Sequence, residues 1–276
     1  MIDRNAFRHL SLEGKVALVT GATQGLGEAT AHLFADRGIA GLAITGRNED
    51  RGNKVKAALE AKGVKTIFVP ADLGRQQDVE TIVPATDRAF GRVDIVVNSA
   101  GITDRGTIWD TKPELFDTMF AVNVRAPFFL MQDSLHIMKR ERIKGSIVNI
   151  ISMSGHGGQS FITAYSASKG ALITLTRNVA YSVMSYNIRV NGLTIGHMNT
   201  PGEDRIMRTY HGAQEGWLDD VEKTKPFGRL LETDEVSRAV AYLASEESGM
   251  MTGSIIDFDQ QVHGAGNSPW PPPPVE

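Results

Sequence analysis

The chain has 276 residues, of which 41% are hydrophobic and 22% charged, and it has no cysteine. That usage is ordinary for a globular protein, and it excludes disulfides, thiol catalysis and thiolate metal sites. Lys plus Arg number 29 against 32 Asp plus Glu, a formal charge of −3, so no basic excess draws in nucleic acid or anionic lipid.

In chain order, residues 1–13 read as an N-terminal extension without the apolar core of a signal peptide. No apolar run reaches the roughly 18 residues of a membrane span, and the expected location is the cytoplasm. Short runs rich in Val, Ile and Leu follow at 16–20, 41–45, 66–69, 93–98, 146–151, 188–193 and 254–258. Near-continuous apolar runs of this length read as strands covered on both faces, the pattern of a parallel sheet. Helical periodicity fills 26–37, 48–62, 75–90, 112–140, 163–186 and 234–244. Leu26, Ala29, Leu33 and Phe34 share one face of the first of these.

Strand alternating with helix implies right-handed crossovers. The expected fold is α/β: a doubly wound, seven-stranded parallel sheet with helices on both faces. Residues 196–230 break the alternation. They are polar, punctuated by glycine and weak in helical signal, and read as an irregular insertion that serves as a lid. Residues 264–276 hold four consecutive prolines at 271–274, which favour the extended polyproline conformation. A loose tail and a tail docked on a neighbouring subunit both fit that composition.

The first strand ends in Thr20-Gly21-Ala22-Thr23-Gln24-Gly25-Leu26-Gly27, and a helix follows at once. Glycines let the backbone approach a ligand closely. A helix N-terminus presents free N–H groups and a positive dipole end to an anion. In the first strand–helix unit this reads as a pyrophosphate cradle. Roughly 20 residues on, where the adenosine ribose is met, stands Arg47 with no acid beside it. A guanidinium suits a ribose 2′-phosphate, so NADP is favoured and NAD remains possible. Asn48 reads as the N-cap of the next helix.

Tyr165 and Lys169 lie four apart on a predicted helix and share a face. The ammonium is expected to draw the phenol pKa down. Ser152 closes the fifth strand, and the C-terminal strand ends of such a sheet line the ligand crevice. A phenol, an ammonium and a hydroxyl together can move one proton at a carbonyl oxygen. Hydride transfer with nicotinamide requires that step.

With these motifs the chain resembles a short-chain dehydrogenase/reductase of the single-domain Rossmann type, over about residues 12–262. The glycine loop matches that family's Thr-Gly-x-x-x-Gly-x-Gly. Asp72-Leu73 resembles the pair at the adenine, and Asn98-Ser99-Ala100-Gly101 resembles Asn-Asn-Ala-Gly. Asn123 resembles the asparagine of the proton relay. Ser152, Tyr165 and Lys169 match the catalytic serine, tyrosine and lysine, and 196–200 resembles the segment that closes over the nicotinamide.

The resemblance implies one NAD(P)-binding domain over 14–263. Gly21, Thr23, Gln24, Gly25, Leu26 and Gly27 would lie on the pyrophosphate side. Tyr165 would be acid or base at the substrate oxygen, Ser152 its hydrogen-bonding partner, and Lys169 the group on the nicotinamide ribose. Asn123 would hold a water that links Lys169 to solvent. Ile195 would offer a backbone N–H where the family has proline, and Thr200 would reach the carboxamide or a phosphate. Two further departures stand out. Asp259-Gln260-Gln261 replaces Asp-Gly-Gly, and Gln24 stands where NADP-binding relatives carry Arg or Lys.

The polar lid and the 154–158 loop suggest a sugar, polyol or other small polar substrate, met by Ser154, His156, Gln159 and Trp217, with Trp217 as an aromatic plate. The alternatives are a reductase of an apolar ketone or 3-oxoacyl group, and a nucleotide-binding protein without turnover. No two histidines sit at helical ligand spacing, so metal-free chemistry is expected. Apolar residues such as Phe128, Phe129, Leu172 and Leu175, with the family's habit, imply a homodimer or homotetramer.

Overall fold

The apolar runs join into one sheet, seen in a computed structural model that describes residues 11–157 and 159–262. Seven strands, β1 (Val16–Thr20), β2 (Gly41–Gly46), β3 (Lys65–Pro70), β4 (Ile95–Asn98), β5 (Ser146–Ile150), β6 (Arg189–Ile195) and β7 (Ile255–Phe258), lie in the order β3-β2-β1-β4-β5-β6-β7. Every pairing is parallel. The order reverses direction between β1 and β4, which opens a crevice beyond the strand ends where ligands bind in such sheets. The 264–276 tail and residues 1–10 lie outside the described residues.

The helices are α1 (Gly25–Asp36), α2 (Glu49–Ala61), α3 (Gln76–Phe90), α4 (Pro113–Phe120), α5 (Ala126–Arg140), α6 (Thr163–Val183), α7 (Pro201–His211), α8 (Trp217–Glu222) and α9 (Thr233–Ala244). Strand side chains alternate between the two faces of the sheet. Ala17 and Val19 of β1 pack with Phe34 of α1, Leu59 of α2 and Val240 of α9. Leu18, between them, packs with Ile82 of α3 and Leu130 of α5 on the other face. The central strands are covered on both faces, so β1, β2 and β4 are buried almost throughout.

Two expectations change. The periodic stretch 112–140 is not one helix: a π-helical turn, Ala121–Arg125, separates α4 from α5. Pro127 has no N–H to offer the carbonyl four residues back, at Asn123, and the backbone widens there. The lid is not irregular either, for it carries α7 and α8. Thr200 caps α7, its Oγ1 accepting from Glu203 N at 3.1 Å, and left-handed Gly212 ends it. Only Ile206 of α7 is buried, so the apolar stripe that marks other helices is nearly missing.

Candidate active site

The C-terminal strand ends and the lid enclose a cleft of about 350 Å³ that runs from the β1–α1 turn to α6. At its first end the turn is shaped by glycine. Gly21 has φ +66°, and a Cβ there would sit 2.9 Å from the Ala100 Cα. A Cβ on Gly27 would sit 2.5 Å from the Gly21 carbonyl oxygen. Thr20 Oγ1 accepts from both Ser99 N and Ala100 N at 3.0 Å, tying the β1 and β4 loops together.

Gln24, the N-cap of α1, makes no side-chain cap. The first-turn N–H groups of Gly25, Leu26 and Gly27 therefore meet the cleft at the positive end of the helix dipole. A diphosphate fits this cradle, which a side chain would fill.

The adenosine end has more charge than the sequence suggested. Arg47 lines the cleft, and Asn48 caps α2 by accepting from Arg51 N at 2.9 Å. Arg51 lines it as well, and its Nη1 donates to Gln24 Oε1 at 2.6 Å. The spacing of Arg51, one helical turn beyond Arg47, was the available signal. Asp72 and Leu73 form the adjoining wall, with Asp72 Oδ1 accepting from Gly74 N at 2.9 Å. Ala100 and Gly101 line the floor, and Ile195 and Thr200 the opposite side. Asn98 stands one layer back in the sheet, where its amide donates to Asn149 Oδ1 at 2.8 Å.

At the other end Ser152, Tyr165 and Lys169 meet. Lys169 Nζ donates to the Ile150 carbonyl at 2.9 Å and lies 5.8 Å from the Tyr165 ring centre. Burial pushes the Tyr165 phenol up to about 12. A hydrogen bond with Ser152 opposes that rise, the Glu203 carboxylate adds to it and the Arg105 guanidinium lowers it. Burial also lowers Lys169, to about 8. The expected fall of the phenol pKa under the ammonium is thus reversed, because both groups are desolvated and burial disfavours each charged form.

Asn123 sits on the π turn and is buried. Its Oδ1 accepts from Ile102 N, and its Nδ2 donates to the Ile102 carbonyl and to Ser168 Oγ, all at 3.0 Å. Ser168 Oγ in turn donates to the Tyr165 carbonyl at 2.7 Å. The amide thereby fixes the β4 loop to the helix that carries Tyr165 and Lys169, and those contacts occupy both of its polar atoms.

The residues expected at the substrate are placed elsewhere. Ser154 Oγ donates to Gln159 Oε1 at 2.7 Å, and His156 Nε2 lies 2.9 Å from Asp257 Oδ1 on β7. Trp217 donates its indole N–H to Asp204 at 2.8 Å and stacks on His197, 6.4 Å between ring centres. None of the four belongs to the cleft wall. Met198, Glu203 and Arg205 of the lid segment and Thr103 of the β4 loop line the mouth instead. The signal for Glu203 was its position three residues after Thr200, the spacing of a helix start.

A family model described as enoyl-(acyl carrier protein) reductase matches residues 21–263. The chain belongs to the short-chain dehydrogenase/reductase family and is an oxidoreductase. It is 37% identical to an uncharacterized oxidoreductase of Thermotoga maritima over 91% of this chain and 98% of the relative. It is 36% identical to an NADP-dependent (R)-specific alcohol dehydrogenase of Lentilactobacillus kefiri, over 88% and 94%. The crystal structure of a 3-ketoacyl-(acyl-carrier-protein) reductase from Brucella melitensis complexed with NADH superposes with a TM-score of 0.80. Identity is 31%, covering 91% of this chain and 98% of that one.

Proposed function

We propose that this protein interconverts an alcohol and a ketone or aldehyde with NADP, on a sugar, polyol or other small polar substrate. One observation carries the reading. Ser152, Tyr165 and Lys169 meet at one end of a cleft whose other end holds a glycine cradle and two guanidinium groups.

When bound there, the nicotinamide supplies or accepts a hydride and leaves the matching proton to the protein. Tyr165 is the group for that proton. Burial keeps the phenol protonated at neutral pH, ready to donate to the oxygen of a ketone as its carbon is reduced. Oxidation of an alcohol runs the same proton back to the phenolate oxygen, beside the positive charge of Lys169. Ser152 hydrogen-bonds to Tyr165 and orients the same substrate oxygen. Asn123 holds the loop and helix in register.

Arg47 and Arg51 together suit a ribose 2′-phosphate, in line with the name of the Lentilactobacillus relative. The name of the Brucella neighbour favours a second reading, reduction of a 3-oxoacyl group. The charged residues at the mouth, Glu203 and Arg205, argue against an apolar chain there.

Nicotinamide absorbance, followed over a panel of sugars, polyols and apolar ketones with NADP and NAD in parallel, tests this. Turnover of a hydroxylated compound is expected, with NADP preferred by about tenfold or more. That preference should collapse in an Arg47→Ala, Arg51→Ala double variant. Turnover of apolar ketones alone transfers the assignment to the second reading.

We further propose a cytoplasmic dimer or tetramer, built on α5 and α6 and acting through one unit at 14–263. No helix among the described residues is long and apolar enough to cross a membrane. Phe128 of α5 stays 41% exposed, and sedimentation as a monomer would count against this assembly.

A further inference from the structure

The mouth of the cleft holds a largely buried carboxylate, Glu203, in its lining. Glu203 enters on the first turn of α7 and is four-fifths buried, with 19% of its side chain exposed. Its Oε1 lies 3.0 Å from His197 Nε2 and 3.8 Å from Arg105 Nη2. Burial pushes this carboxyl's pKa up, but the His197 imidazole and the Arg105 guanidinium outweigh it and hold the group below the usual carboxylate range. Glu203 is therefore anionic at neutral pH. It lines the same cleft as Tyr165 and is close enough to raise the phenol's pKa electrostatically.

The nearest cation is spoken for. Arg105 donates through Nε to His211 Nε2 at 3.1 Å and through Nη1 to the Thr103 carbonyl at 2.9 Å, and its guanidinium lies over the Phe161 ring at 5.5 Å. Arg205, the other cation at the mouth, is 3.7 Å from Asp104 Oδ1. The mouth thus offers a hydrogen-bond acceptor with a full negative charge, beside two guanidinium groups that each face a carboxylate.

Building on the proposed alcohol–ketone chemistry at Tyr165, we infer that Glu203 is a specificity residue that accepts a hydrogen bond from a second hydroxyl close to the reacting carbon. The substrate class it selects is the neutral diol or hydroxyketone. The same charge repels substrates that carry a carboxylate. A hydrogen bond to an ionised group discriminates by roughly tenfold to a hundredfold, and repulsion at this range acts on the anion in the opposite sense.

The test compares kcat/KM for butane-2,3-diol, butan-2-ol and 3-hydroxybutyrate in the wild type, Glu203→Gln and Glu203→Ala. Cofactor affinity, read by nicotinamide fluorescence, serves as the check on folding. The wild type is expected to favour the diol over butan-2-ol by at least tenfold. Both variants should lose most of that preference, use butan-2-ol within about threefold of wild type, gain several-fold on 3-hydroxybutyrate and keep cofactor affinity.

An equal loss on all three alcohols, with affinity kept, makes Glu203 a strut of the lid and overturns the inference while leaving the alcohol–ketone reading intact. A wild type that favours butan-2-ol or 3-hydroxybutyrate overturns it as well. A wild type inert on every alcohol and ketone overturns the underlying reading, and the inference with it.

Discussion

The two ends of the cleft are built from different materials. The diphosphate cradle of the cofactor end is mostly backbone: glycines without room for a Cβ and the N–H groups of α1, with one side-chain oxygen, Thr20 Oγ1, clasping two loops. The substrate end is made of side chains: Ser152, Tyr165 and Lys169 on one wall, and Glu203 and Arg205 of α7 at the mouth, with Glu203 backed by the His197 ring that stacks on Trp217. Backbone offers the same partners whatever the surrounding residues are, so the first end suits a ligand that does not change. Side chains can be exchanged one at a time without disturbing the sheet, so the second end is where selectivity is expected to be set.

Four perturbations probe that contrast. The largest effect is expected at the end that holds Ser152, Tyr165 and Lys169. Tyr165→Phe should lower turnover by about 10²–10⁴-fold while nucleotide affinity, measured by fluorescence titration, stays within a few-fold of wild type. Unchanged turnover would remove the phenol from the reaction.

Next comes the seam in pH. Lys169 falls from 10.5 in the unfolded chain to about 8 when folded, so between those values the unfolded state binds more protons. Stability from this group therefore rises with pH through 8–10.5, by about 3 kcal/mol in all. Tyr165 is raised above its ordinary value of 10.0 and acts with the opposite sign beyond pH 10. Urea titrations of wild type against Lys169→Met should lose the rise between pH 8 and 10 in the variant. An unchanged slope would show that Lys169 is not desolvated.

Third is a single methyl group in the cradle. Gly21→Ala places a Cβ against Ala100 at positive φ, and should cost about 1–3 kcal/mol of stability and weaken nucleotide binding well beyond that of any lid variant. Thermal melts with and without cofactor measure both. The smallest effect is expected in the lid. Thr200→Ala removes the cap of α7, about 1 kcal/mol of local helix stability. It should raise the substrate KM with the melting temperature almost unmoved. If Thr200→Ala proved as destabilising as Gly21→Ala, the division between the two ends would fail.

The same division decided what could be read from the sequence. The central strands were legible because burial on both faces leaves runs rich in Val, Ile and Leu, and the outer ones because the same alternation with helices continued around them. The cradle was legible because a backbone-built site demands glycine at fixed positions. Ser152, Tyr165 and Lys169 were legible through spacing and family resemblance. The pKa of Tyr165 was not, since spacing reports the nearness of Lys169 but not the burial that both groups share.

The break in 112–140 could have been read from Pro127. The lid helices were hidden because α7 buries only Ile206 and draws its order from Thr200 and from charged pairs. Ser154, His156, Gln159 and Trp217 were selected for polarity, but polarity does not say which way a side chain points. Three of them turn to Gln159, Asp257 and Asp204, partners remote in sequence or invisible without the fold.

The clasp at Thr20 bears on motion as well as shape. Its oxygen takes two backbone N–H groups from the β4 loop, 79 and 80 residues further along the chain, and its hydroxyl faces the Val97 carbonyl at 3.4 Å. The two banks of the crevice therefore move as one body on either side of the strand-order reversal. In hydrogen exchange the amides of Ser99 and Ala100 should open only with the sheet itself, although they lie outside any strand. A nucleotide entering between banks so tied is expected to order little of the β1 and β4 loops. Its binding should then show little loss of conformational entropy on the cofactor side, and any ordering on ligand binding is expected in the lid.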